Sequence, residues 1–150
     1  MQTMQTRSYT ALLNAQSIHT PKFSFSGQKI VAKIVYVVDG DTVDVVFKPD
    51  GSDNFYKFRC RLNGINTPET KGIERPLGLI VKQYVKNDLL DKIVLLRLYD
   101  FDNFGRIIAD IHIELARNDT VEFINYNEHL VYMKYACIYE YRKQHIWDII

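Results

Sequence analysis

The chain has 150 residues, a length that favours one domain, and 47% of them are hydrophobic, which is enough for a core. Its 19 lysines and arginines nearly cancel its 18 aspartates and glutamates, leaving a formal net charge of +1. No global field therefore draws it to nucleic acid, and any grip on phosphate must come from local basic residues. No Cys/His spacing reads as a zinc site, and no run approaches the ~18 apolar residues of a membrane-spanning helix. The two cysteines, Cys60 and Cys137, lie in an alternating strand pattern and an apolar run, and read as buried free thiols. The start of the chain lacks a basic patch followed by a long apolar stretch. The expectation is an intracellular protein with no secretory signal, no membrane segment and no obligate protein partner.

Residues 1–28 read as a flexible polar extension and residues 29–150 as the domain. No Asp or Glu occurs before Asp39, as in organellar targeting peptides, but Arg7 is the sole fixed positive charge in the first twenty residues. From Lys29 the chain turns β-rich. Ile30 to Val38 is a β-branched run that meets the turn signal Asp39-Gly40 and continues as Thr42 to Phe47. Pro49-Asp50-Gly51 marks a second turn. Phe55 to Leu62 alternates, with Tyr56, Phe58, Cys60 and Leu62 on one side and Lys57, Arg59 and Arg61 on the other. After an irregular segment, Pro76 opens a helix whose Leu77, Ile80, Val81, Tyr84, Val85 and Leu89 recur at helical spacing. Ile93 to Leu98 reads as a strand, Asp100 to Gly105 as a turn, and Arg106 to Ile113 as another strand. Asn118-Asp119 marks a turn, and Asn127-Glu128 opens a short helix carrying Leu130 and Val131. Three strands, a helix and two strands make an α+β, mainly β protein: a five-stranded OB-fold barrel with a capping helix and a short C-terminal helix.

Polar residues break the β pattern at three places: Asp39 and Asp41 around Gly40; Arg61 and Asn66-Thr67-Pro68-Glu69; and Asp102 to Arg106. Strand ends far apart in sequence can converge in a barrel of this order. The set suits phosphoryl transfer. Aspartate is a hard oxygen ligand for Ca²⁺ or Mg²⁺, glutamate can take a proton from an attacking water, and arginine can hold two phosphate oxygens as charge builds. Each piece also has an ordinary reading: a hairpin turn, a solvated strand face at Lys57, Arg59 and Arg61, a capped turn, a β-turn with a flanking charge. His112 and His145 lack partner spacing and read as surface residues.

The order VVDGDTVDVVF at 37–47, RLNGINTPETK at 61–71 and DNFGRIIADI at 102–111, with Asn127-Glu128 through Val131, resembles the staphylococcal nuclease (thermonuclease) family from about Lys29 to Tyr141. The resemblance implies a Ca²⁺-dependent endonuclease of the OB-fold type, acting on DNA and/or RNA and leaving a 3′-phosphate. By that resemblance Asp41, Asn66 and the Thr67 carbonyl hold one weakly bound ion. Arg61 and Arg106 contact the scissile phosphate, and Glu69 is the general base. Three departures stand out. Asn66 occupies a usual aspartate position, which removes a ligand charge that Asp39 or Asp44 would have to replace. Lys134 occupies the position where the family helix ends in glycine. Ile146-Trp147 follows Tyr141 closely and leaves little room for a final helix. The rival reading is a catalytically weak or inactive OB module that binds nucleic acid or a protein partner; a structural subunit is a third.

Overall fold

The computed structural model describes residues 7–140 and Trp147; His145 and Ile146 fall outside them. The main strands are β1 (Lys29–Asp39), β2 (Thr42–Phe47), β3 (Tyr56–Leu62), β5 (Ile93–Phe101), β6 (Ile107–Arg117) and β7 (Thr120–Asn125). Short β4 (Ile65–Asn66) pairs with β8 (Cys137–Ile138). The helices are α1 (Arg7–Leu13), α2 (Arg75–Leu89) and α3 (Tyr126–Tyr132). The sheet runs β3-β2-β1-β5-β6-β7, and a parallel pairing of β3 with β6 closes β1, β2, β3, β6 and β5 into a ring. This is the mainly β, helix-capped architecture expected.

Alternation sets what the ring encloses. Val43, Val45, Phe47, Cys60, Leu62, Leu96, Leu98, Ile107, Ala109 and Ile111 are all buried, as a pleat with one face inward requires. Val81, Val85 and Leu89 on α2 complete the core, while Ile80, expected on that face, is 47% exposed. Cys60 is buried and free, and burial pushes its thiol up to about 12. Cys137 is free but only half-buried, because it sits in the two-residue strand β8.

Several features lie beyond the sequence pattern. β6 runs past Ile113 to Arg117 because its second half pairs with β7 outside the ring. Both faces are partly wet there, so strict alternation fades. Asn118 and Asp119 take positive φ at the hairpin tip, the conformation a two-residue turn demands. The stretch expected as an extension includes a core residue, Phe25. It is 3% exposed and packs edge-on against Phe47 and Phe58. His112 is half-buried and stacks on Phe123 rather than facing solvent.

α3 is tied to the ring by one buried amide. Asn127 donates from Nδ2 to the carbonyls of Asn63 and Ala109, each at 3.1 Å, and accepts from the Ile111 N–H. Asn125 caps the helix by accepting from the Glu128 N–H. At the other end Lys134 adopts φ +64°, with Lys134 N–H donating to Val131 and Tyr135 N–H to Leu130. The helix thus ends as a glycine would end it, although lysine disfavours that geometry. The following Tyr135 and Ala136 reach their packed positions only through this reversal.

A Cβ in the left-handed region costs about 1 kcal/mol. Lys134→Gly is therefore expected to stabilise the protein by about 1 kcal/mol and to raise its melting temperature by about 2–4 °C, measured by thermal denaturation.

Candidate functional site

The β1–β2 turn approaches α2 and the loop after β3 so closely that only glycine fits. A Cβ on Gly40 would lie 2.7 Å from Val81 Cγ1 and 2.8 Å from Thr67 Oγ1. The next residue, Asp41, therefore meets that loop directly. Its Oδ2 accepts from the Thr67 N–H at 3.2 Å and lies 3.5 Å from Arg61 Nη2, while its Oδ1 accepts from the Thr42 hydroxyl. The register explains the meeting. Thr42 pairs with Arg61 across β2–β3, and Cys60–Leu62 pair in parallel with Ile107–Ala109. The end of β3 thus lies between the Asp41 turn and the start of β6, which follows Arg106.

Arg61 is held by oxygens on two sides. Nη1 donates to the Leu62 carbonyl at 2.9 Å, and Nη2 donates to Asn66 Oδ1 at 2.6 Å. Asn66 is placed by β4, whose pairing with β8 fixes it opposite Cys137. One guanidinium nitrogen thus lies between the Asp41 carboxylate and the Asn66 amide oxygen. Asp44 is committed elsewhere: it pairs with Arg59 through both carboxylate oxygens. It cannot make up the charge absent at Asn66.

Glu69 is exposed, but its backbone is pinned. A Cβ on Gly78 would come 2.1 Å from the Glu69 carbonyl oxygen, so α2 carries glycine where the loop crosses it. Arg106 stands on a tight turn built by Asp102. Asp102 Oδ1 accepts the N–H groups of Phe104 and Arg106, and Oδ2 accepts from Arg106 Nε at 2.6 Å. Burial acts to raise the Asp102 carboxyl, but the hydrogen bonds from Arg106 and Phe104 outweigh it and hold it below its ordinary value. Arg61 and Arg106 line one cleft of about 410 Å³, together with Asn63, Gly64, Phe104 and Tyr139. Glu69 and Asp41 are not among the residues lining it. A larger cleft of about 610 Å³ lies between β5, the far half of β6 and α2. It contains neither arginine, so size alone does not mark the site.

The sequence reading passed over Phe104 and Tyr139 as cleft walls and Asp102 as the tether of Arg106. Phe104, 84% exposed at the tip of a polar turn, was the available signal. Nothing in the local pattern singled out Tyr139, because the β4–β8 pairing brings it to the cleft.

The electrostatics at the β1–β2 turn favour a cation. Burial, and then the neighbouring Asp41 carboxylate, push the Asp39 carboxyl up to about 7. No group of three or more His, Cys, Asp or Glu side chains that could hold a metal occurs among the described residues. A hard ion would rely on one carboxylate and neutral oxygens. Asp41 and Asn66 fit that role, since their oxygens converge on a single Arg61 nitrogen. Thr67 Oγ1, buried beside them, has no hydrogen-bond partner.

A family model described as staphylococcal nuclease homologue matches residues 59–148. The span includes the Arg61–Glu69 and Asp102–Arg106 segments; Asp41 precedes it. Endonuclease Htp3 of Saprolegnia parasitica (strain CBS 223.65) is 28% identical over 132 residues, covering 79% of this chain and 61% of its own length. The chain thus spans less than two thirds of that relative. No helix among the described residues is long and apolar enough to cross a membrane.

The contact at Gly78 yields a test of the clamp on the Glu69 loop. Gly78→Ala is expected to cost about 1–3 kcal/mol, as overpacking does. Leu79→Ala, on the exposed face of the same helix, should stay within about 0.5 kcal/mol. Chemical denaturation of both variants measures the difference.

Proposed function

We propose, on the premise that the chain belongs to the staphylococcal nuclease homologue family, that it hydrolyses phosphodiester bonds of DNA and/or RNA at the Arg61–Arg106 cleft in a Ca²⁺-dependent reaction. The observation that carries this reading is the pair of arginines, from a strand end and a turn distant in sequence, on one cleft beside the Asp41–Asn66 cluster. The endonuclease named above supports the same class of activity.

Asp41, Asn66 and the Thr67 carbonyl would hold the ion. When bound, it supplies fixed positive charge beside the phosphate. Arg61 and Arg106 bind the non-bridging oxygens. Two of Arg61's five N–H groups and one of Arg106's are committed within the protein, which leaves several of each free for phosphate. Their tethers fix where those donors point, so little reorganisation is needed as charge builds. Glu69 takes a proton from the attacking water. The new P–O bond forms as the P–O5′ bond breaks, and the departing O5′ takes a proton from solvent, giving a 3′-phosphate and a 5′-hydroxyl. The exposure of Glu69 gives water direct access to the base.

Single-stranded DNA should be cut with Ca²⁺ and not in its absence, and Glu69→Gln should abolish turnover while leaving the fold intact. Oligonucleotide binding without cleavage at any Ca²⁺ concentration would favour the inactive binding module instead. Because lysine cannot reproduce the guanidinium fork, Arg61→Lys and Arg106→Lys are each expected to lose roughly 10²–10³ in kcat. Near-normal turnover by either folded variant would remove that arginine from the reaction.

Asn66 supplies an oxygen without a charge, and hard cations are held by ligand charge and number. Asn66→Asp is expected to lower the Ca²⁺ concentration needed for half-maximal cleavage. A Ca²⁺ titration of cleavage for both proteins measures this, and superimposable curves would take Asn66 out of the ion's shell.

A further inference from the structure

The outward face of β1–β2–β3 carries an ordered array that the cleft does not use. Across the sheet, Lys33, Val46 and Lys57 form one row. Tyr36, Asp44 and Arg59 form the next, and Asp39, Thr42 and Arg61 end the series at the cleft. Lys33, Lys57 and Arg59 are exposed, and Tyr36 is 54% exposed. Of the two carboxylates in these rows, half-buried Asp39 stands at the cleft end, and Asp44 is buried and gripped by Arg59. That grip engages Nε and Nη2 of the guanidinium and leaves its remaining N–H groups free. In a chain of net charge +1, three exposed cations, set against one buried and one half-buried carboxylate, leave the exposed charge of this face positive. Lys57, Arg59 and Arg61 alternate along β3, so their spacing is that of every second strand residue.

We propose that this face is a track for single-stranded nucleic acid, leading from the Arg61 cleft along β3, with Lys33, Lys57 and Arg59 on the phosphates and Tyr36 stacked on a base. Charge complementarity selects a polyanion. The aromatic ring among the cations selects a single strand, whose bases are free to stack. Sheet faces of OB-type rings are suited to this use. The track deepens the nuclease reading and rests on it only for the direction in which the strand leaves the cleft. It makes substrate length, rather than base identity, the main determinant of affinity.

Binding of fluorescent dT12 and dT3 in EDTA, where no cleavage occurs, separates the track from the cleft. The wild type should bind dT12 at least tenfold more tightly than dT3. Lys33→Ala/Lys57→Ala should reduce the slope of log affinity against log salt for dT12 by about 1.4, at ~0.7 per phosphate contact on single strands. Tyr36→Ala should weaken dT12 binding by about 5- to 150-fold, the range for one base stack, while Tyr36→Phe restores it. All three variants should bind dT3 like the wild type. Equal affinity of the wild type for dT12 and dT3 would overturn the track, as would unchanged dT12 binding by both alanine variants. Loss confined to the lysine variant would overturn the single-strand assignment. Failure of the nuclease reading gives a different result: length-dependent binding persists, but Ca²⁺ yields no cleavage.

Discussion

The site depends on how Arg61 is held. Its guanidinium reaches the Asp41 carboxylate from the β1–β2 turn, the Asn66 amide from β4 and the Leu62 carbonyl on its own strand. Arg61 is only 17% exposed at its side chain and Asp41 14%. A partly buried pair of this kind persists only where further hydrogen bonds satisfy both groups. The two glycines serve the same end. Gly40 lets the turn press on Thr67, and Gly78 lets α2 press on Glu69. The loop carrying the remaining site residues is thereby clamped between turn and helix.

The two arginines are tethered differently. Arg106 answers to a carboxylate four residues away on its own turn. Arg61 answers to groups that the ring must bring together. The first can form within its own turn; the second requires the β2–β3 pairing that sets Thr42 opposite Arg61. Loss of that pairing would therefore part Arg61 from Asp41 and leave the Asp102–Arg106 turn in place.

Much of this was readable in the sequence where a local rule governed. Period-two alternation marked the inward residues of β2, β3 and β6, and helical spacing marked Val81, Val85 and Leu89. Features set by long-range pairing were not readable. Phe25 enters the core because a pocket beside Phe47 and Phe58 accepts it, not because its own segment is apolar. β7 and the far half of β6 pair outside the ring, where burial no longer enforces alternation. Lys134 breaks a local preference that the packing after α3 overrides. At the site, residue types were legible, but partners were not. Asp44 looks available to the cluster in the sequence, but Arg59 takes both of its carboxylate oxygens.

Asp41 and Asn66 present converging oxygens, which on the proposed reading would hold a hard cation. Calorimetric titration of Ca²⁺ into the wild type and into Asp41→Asn tests it without recourse to cleavage. With one carboxylate and neutral donors, the wild type should show saturable one-to-one binding in the weak range, roughly 10⁻⁴–10⁻³ M, and Asp41→Asn should show none. Indistinguishable titrations of the two proteins, or no binding to the wild type, would contradict the claim.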